Sequence, residues 1–340
     1  MQRRDRPPRQ EVFVHTKAAA GPPISPMDKA DKNKDKDSAN DGVGKLFAEL
    51  NDMVGLTEIK KLFYEVYAFA QVQKQRRKEQ LCAEATVLHA VFTGNPGTGK
   101  TTVARLMARL YKEMEVLPKG QLIEVERADL VGEFVGHTAQ KTKEQVKKAL
   151  GGLLFVDEAY SLLRGGERDF GREAIDTLVK AMEDHKNEFV LVLAGYNREM
   201  EDFLNANPGL RSRLPLQIDF ADYTLQELRE IAALMYQKRQ YTPTESGWLE
   251  IEKFLWQSLN GLGGAMQTGN ARTVRNLVEG SLRSQAVRLL AEGGPSWDRR
   301  RLQTIVGEDI AAAAIRLNKN WEQSRQGKAE AGKILYMNHG

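Results

Sequence analysis

The chain has one cysteine, Cys82, among 340 residues. It can therefore form no internal disulfide and no cysteine-built zinc cluster. No apolar run approaches the ~18–20 residues that a bilayer-spanning helix needs, so no membrane partner is expected. The opening residues, Met1-Gln2-Arg3-Arg4-Asp5-Arg6-Pro7-Pro8, lack the apolar stretch of a secretory signal. A large excess of charge of either sign is lacking as well. Fifty Lys and Arg against 46 Asp and Glu leave a formal net charge of +4, too mild to argue for nucleic acid, and no basic, aromatic-interleaved stripe adds to it. Internal repeats are absent. Together these absences point to a cytoplasmic protein with no nucleic-acid role. The 41% hydrophobic share supplies a real core, and the length suits one large or two modest domains.

Residues 1–42 read as a disordered tail rich in proline and charge. Pro7-Pro8, Gly21-Pro22-Pro23 and Pro26 break regular structure, and the following charged run buries too little apolar surface to offset its ordering entropy. From 43 to 221, strand-like and helix-like segments alternate. Five strand-like runs fall at 87–92, 122–125, 153–156, 189–194 and 216–220. This alternation predicts a five-stranded parallel sheet with helices on both faces. From 222 to 292 the periodicity is helical only, predicting a small all-α domain. A C-terminal extension, 293–340, holds a short strand-like run at 302–306 and an Ala-rich helix, and is expected to be partly ordered.

Gly94-Asn95-Pro96-Gly97-Thr98-Gly99-Lys100-Thr101 matches G-x-x-x-x-G-K-[ST] and stands between a strand and a helix, the setting the pattern needs. Its glycines let backbone amides turn toward phosphates, and the helix opening at Thr102 points its positive dipole end at them. Lys100 would reach the β- and γ-phosphates of ATP, and Thr101 would hold Mg²⁺. Asp157 and Glu158 end the apolar run Leu153–Val156. At the edge of a parallel sheet they face the nucleotide crevice. Asp157 suits Mg²⁺, and Glu158 suits polarising the attacking water.

Asn197 follows the next strand and is placed to orient that water, with Tyr196 and Arg198 flanking it as alternatives for the role. Arg211 and Arg213 precede the last strand. A transferring phosphoryl group is commonly met by an arginine from a neighbour, and Arg213 is the better placed. Arg272 opens a helix of the all-α region, from where it would touch the γ-phosphate. In Phe134-Val135-Gly136 an aromatic side chain stands beside a flexible glycine on a loop, a paddle able to grip an extended peptide.

The combination of P-loop, Asp-Glu strand end, polar residue after the next strand and two placed arginines resembles the AAA+ ATPases over about residues 46–290. Asp129-Leu130-Val131-Gly132-Glu133-Phe134-Val135-Gly136, Gly152-Leu153-Leu154-Phe155-Val156-Asp157-Glu158-Ala159-Tyr160 and Leu193-Ala194-Gly195-Tyr196 are similar to the group containing stage V sporulation protein K and the red-type Rubisco activase. Leu117-Pro118-Lys119-Gly120 and Arg164-Gly165-Gly166-Glu167 lean toward the sporulation member. The resemblance implies an α/β P-loop AAA+ domain followed by a small C-terminal all-α lid, and an ATPase using ATP and Mg²⁺. It implies adenine contacts at Val54, Gly55 and Leu56, with Thr102 completing the phosphate loop. It further implies a homo-oligomeric ring, commonly a hexamer, in which Arg213 serves the neighbouring subunit. Phe134, Val135 and Gly136 would contact a protein client in the central pore, with Phe134 standing where a tyrosine is expected. The implied activity is remodelling of a protein partner by pulling. The alternatives are a Rubisco activase-like remodeler and a nucleotide-switched assembly module without threading.

Overall fold

The computed structural model describes residues 37–83, 88–134, 136–164, 170–260, 269–293 and 297–337. Helix α1 (Asp37–Asn51) leads through left-handed backbone at Gly55 and Leu56 into α2 (Thr57–Lys78). Arg76, Arg77 and Lys78 occupy the last turn of α2, where cations suit the helix dipole. The α/β series follows: β1 (Ala90–Gly94), α3 (Lys100–Glu113), β2 (Leu122–Val125), α4 (Arg127–Leu130), α5 (His137–Ala149) and β3 (Leu153–Val156). A 3-10 turn (Ala159–Leu163), α6 (Gly171–Asp184), β4 (Val190–Gly195), α7 (Asn197–Asn205), α8 (Pro208–Arg211) and β5 (Leu216–Phe220) complete it.

The five strands are parallel, in the order β2-β3-β4-β1-β5. Every residue of β3 and β4 is buried, which is why both are continuous apolar runs rather than alternating ones. Successive side chains leave a strand on opposite faces. Phe92, Phe155 and Val192 pack with Leu50, Phe63 and Met107 on one side; Val91, Leu154 and Leu193 pack with Ile175, Leu178 and Phe203 on the other. After β1 the chain crosses to the β2 edge, and it later returns to place β5 beside β1. This change of direction opens a crevice at the strands' C-terminal ends.

The lid begins at Thr224, whose hydroxyl accepts from the Glu227 amide while the Glu227 carboxylate accepts from the Thr224 amide. This reciprocal cap starts α9 (Leu225–Lys238). The lid continues with β6 (Thr242–Pro243), α10 (Glu245–Asn260), α11 (Asn270–Ala291), α12 (Arg299–Gln303), β7 (Thr304–Ile305) and α13 (Gly307–Met337). Core and lid belong to one unit of the chain, Ala39–Gly340. Among the described residues no helix is long and apolar enough to cross a membrane.

Three expectations shift. The lid does not stop at residue 292: Ile310 and Ala313 on α13 are buried in one cluster with Tyr236, Val274 and Leu277, and Arg288 holds the buried Asp309 through two bonds of 3.0 Å. An Ala-rich helix has little reason to fold alone; here α11 supplies the surface it buries. The lid is also not purely helical, since β6 and β7 pair in parallel. Ordered helix begins at Asp37 rather than near residue 43. Of the tail, residues 1–36 lie outside the described residues, as do Val87, Val135 and Gly165-Gly166-Glu167.

Candidate active site

The P-loop leaves β1 through Gly94 (φ 138°) and enters α3 through Gly99 (φ 101°), with Gly97 at φ 75° between them. Two of these glycines are required by close approach as well as by φ. A Cβ on Gly94 would lie 2.4 Å from the Phe220 carbonyl oxygen, and one on Gly97 would lie 2.2 Å from that of Gly269. Thr98 is fully buried and its hydroxyl donates to the Asn95 carbonyl at 2.8 Å, stiffening the loop from within. Lys100 Nζ donates to the Gly94 and Asn95 carbonyls at 2.7 and 2.9 Å. Burial holds its ammonium below the ordinary lysine value. The Asp157 carboxylate works against that shift, and the Arg272 guanidinium works with it.

A cleft of about 380 Å³ opens above the loop, lined among others by Lys100, Thr101, Asp157, Glu158, Tyr196 and Arg272. Four segments separate in the chain thus meet at one place: the P-loop, the ends of β3 and β4, and the first turn of α11. Pro96, Gly97, Gly99 and Thr102 line it too. Glu158 sits in left-handed backbone (φ 47°, ψ 44°), and its amide donates to Asp157 Oδ1 at 3.0 Å. For a non-glycine residue that conformation costs about 1 kcal/mol. Strain of this kind concentrates at functional sites, and here it falls at the strand end where both carboxylates line the cleft.

Asn197 is not brought to the cleft. Its side-chain amide donates to Asp219 Oδ1 at 3.0 Å, and the same oxygen accepts from the Thr93 hydroxyl at 3.1 Å. Tyr196 lines the cleft instead. The reason is the start of α7: Tyr196 is its extended N-cap residue and Asn197 its first helical residue, so the two side chains diverge. Tyr196 packs against Tyr160, ring centroids 5.7 Å apart, and the Arg164 guanidinium lies 4.8 Å from the Tyr160 ring centroid. Burial first, and then the Glu158 carboxylate, push both phenols up, that of Tyr160 to about 12.

Arg213 lies away from this cleft. It donates to the Gly209 carbonyl at 2.6 Å and pairs with Glu183, while Arg211 donates to Asn205 Oδ1 at 2.6 Å. Val54 and Gly55 do not line the cleft either. Val54 packs against the lid core, and a Cβ on Gly55 would meet Glu227 at 2.5 Å and Tyr223 at 3.4 Å. They stand where the core domain meets the lid. Asn95 turns outward, its amide bonding both oxygens of Asp222 at 3.0 and 2.9 Å. Phe134 is 64% exposed and edge-on to His137, and Gly136 caps α5 with left-handed backbone.

Sequence reasoning missed Tyr160, Arg105 and Arg275 among the cleft residues. Arg275 carried a signal, since residues three apart on a helix share a face with Arg272.

Comparison with known proteins agrees with this construction. A sequence model of the "ATPase family associated with various cellular activities (AAA)" matches residues 90–221, and an "AAA lid domain" model matches 224–320. The chain belongs to the AAA ATPase family: it binds nucleotide and hydrolyses ATP. It is 50% identical to stage V sporulation protein K of Bacillus subtilis over 81% of this chain and 85% of the relative. It is 41% identical to protein CbbX of Cereibacter sphaeroides, over 81% and 88% of the two chains. It is 42% identical to the chloroplastic ribulose bisphosphate carboxylase/oxygenase activase of Cyanidioschyzon merolae, over 78% and 89%. Among solved structures, the FIGL-1 AAA domain in complex with ADP superposes with a TM-score of 0.52 at 19% identity, covering 77% of this chain and 82% of that one. That likeness shows the fold alone.

Proposed function

We propose that this ATPase is a ring-forming motor that remodels a protein partner. One observation carries the catalytic part: Lys100, Asp157, Glu158 and Arg272, from three separate elements, line one cleft. Lys100 would bind the β- and γ-phosphates, and Glu158 would accept a proton from, and so align, the attacking water. Arg272 would hold the γ-phosphate from the lid side, with Tyr196 beside it at the end of β4. Among the described residues no group of three or more His, Cys, Asp or Glu side chains is placed to hold a metal unaided. Mg²⁺ fits that donor set, because it takes one or two protein oxygens together with substrate phosphates. Thr101 and Asp157 would hold it, and it would neutralise charge on the transferring phosphoryl group.

The motor part rests on residues that face outward. Arg213 would complete a neighbour's site in a ring, as a trans-acting arginine does. Phe134 and Gly136, with Val135 between them, would grip an extended client. The relatives named above favour a protein client, either in a sporulation setting or as an activase. Replacing Glu158 with Gln tests the core of the reading. ATP binding stays normal by calorimetry, and steady-state turnover falls by roughly a hundredfold or more. Wild-type turnover in Glu158→Gln removes Glu158 from the mechanism.

A further inference from the structure

The lid holds the P-loop by contacts that none of these roles uses. Three consecutive carbonyls of the loop each accept a hydrogen bond from the lid side. Pro96 accepts from Asn270 Nδ2 at 3.3 Å, Gly97 from the Ala271 amide at 3.1 Å, and Thr98 from the Tyr223 hydroxyl at 3.1 Å. A phosphate-cradling loop turns its amides inward and leaves carbonyls facing out. Those outward carbonyls are the atoms the lid side grips.

Asn270 is the centre of the contact. It is 1% exposed. Besides Pro96, its amide donates to Asp222 Oδ1 at 2.7 Å, and its own oxygen accepts from the Tyr223 backbone amide at 3.0 Å. Asp222 in turn accepts both bonds from Asn95 of the P-loop. Asn270 holds a left-handed φ of 45°, which asparagine tolerates better than most side chains. Arg272 stands two residues further along the first turn of α11. Whatever moves Asn270 therefore moves Arg272 in the cleft.

We propose that Asn270 is a positioning residue. It fastens the start of α11 to the P-loop through Pro96 and Asp222, so that the loop's conformation around nucleotide sets the lid's angle and the reach of Arg272. This rests on nucleotide binding at the P-loop and on the reading of Arg272, and not on the ring or the pore.

The test uses the full chain and three variants, with ADP binding by calorimetry, ATP KM and kcat, and thermal unfolding without nucleotide. Asn270→Gly keeps the backbone conformation and deletes the side chain. Asn270→Asp keeps the shape but sets a second carboxylate against Asp222. The double variant Asn270→Asp, Asp222→Asn restores one amide facing one carboxylate, leaving unmade the bond to Pro96 and one of the two bonds from Asn95. ADP affinity is expected to fall roughly tenfold in Asn270→Gly and further in Asn270→Asp. kcat falls in both, and the double variant recovers part of the affinity lost by Asn270→Asp. Wild-type ADP affinity and kcat in Asn270→Gly, or a double variant that binds no better than Asn270→Asp, overturns the proposal. Glu158→Gln serves as the separate control, because its normal nucleotide binding with lost turnover tests the hydrolytic reading whatever Asn270 does.

Discussion

The inward-facing cleft and the outward-facing loops of this chain are built differently. In the cleft, functional groups stand on a braced loop: Lys100 is held by two carbonyls of that loop, Asp157 by the amide that follows it, and the loop itself by lid-side residues far along the chain. Arg213 and Phe134 have few partners, and those partners are exposed. Arg213 rests on Gly209 and Glu183, both in exposed positions near it, and Phe134 touches His137 three residues on. A group whose partners lie in its own chain is pre-organised at the cost of folding alone. A group whose partner arrives from elsewhere must stay accessible, and exposed ion pairs of the Arg213–Glu183 kind contribute little stability to give up.

Exchange between subunits probes that contrast most severely. Arg213→Ala is expected to lower kcat by roughly a thousandfold with nucleotide affinity intact. Mixing it with Lys100→Ala chains, which keep their Arg213, should recover turnover measured by phosphate release. No recovery on mixing would place the arginine's role within its own chain, and an unchanged kcat in Arg213→Ala alone would pass the role to Arg211. The cleft wall comes next. Tyr196→Phe should reduce kcat by about tenfold, and Asn197→Ala should stay within about twofold, if the side chain lining the cleft is the one that matters. The reverse ranking would return the role to Asn197. The smallest effect on hydrolysis belongs to Phe134→Ala, expected within about twofold of the wild-type ATPase rate, since surface changes away from a site seldom disturb it. Remodelling of a client protein should be lost in the same variant. Client activity that survives favours a nucleotide-switched assembly module over a pulling motor.

Much of the hydrolytic site was legible because its signals are local. The eight residues from Gly94 to Thr101 carry the loop's geometry in their own spacing, and the apolar run of β3 announces that Asp157 and Glu158 end a buried strand. Tyr196 and Asn197 were harder. Which of two adjacent residues faces a cleft depends on where the helix begins, and position behind a strand does not fix that point. A signal for it existed, since Met200, Phe203 and Leu204 stand at helical spacing behind Tyr196 and are all buried. The reach of the lid was less legible still. The run from Ala311 to Ala314 reads as helix, but whether it belongs to the lid depends on the α11 surface it covers.

From the residues alone, then, came the parallel sheet, the phosphate loop, the acidic strand end and the separate helical region, because period and spacing are written in neighbouring positions. The contact between lid and loop was decided elsewhere. Asn95 and Asp222 lie 127 positions apart, and Asp222 and Asn270 a further 48. No local pattern relates such residues. Hydrogen bonds between them exist only once the sheet has closed the long loops and the lid has packed, bringing three polar side chains to the one place where each satisfies the next.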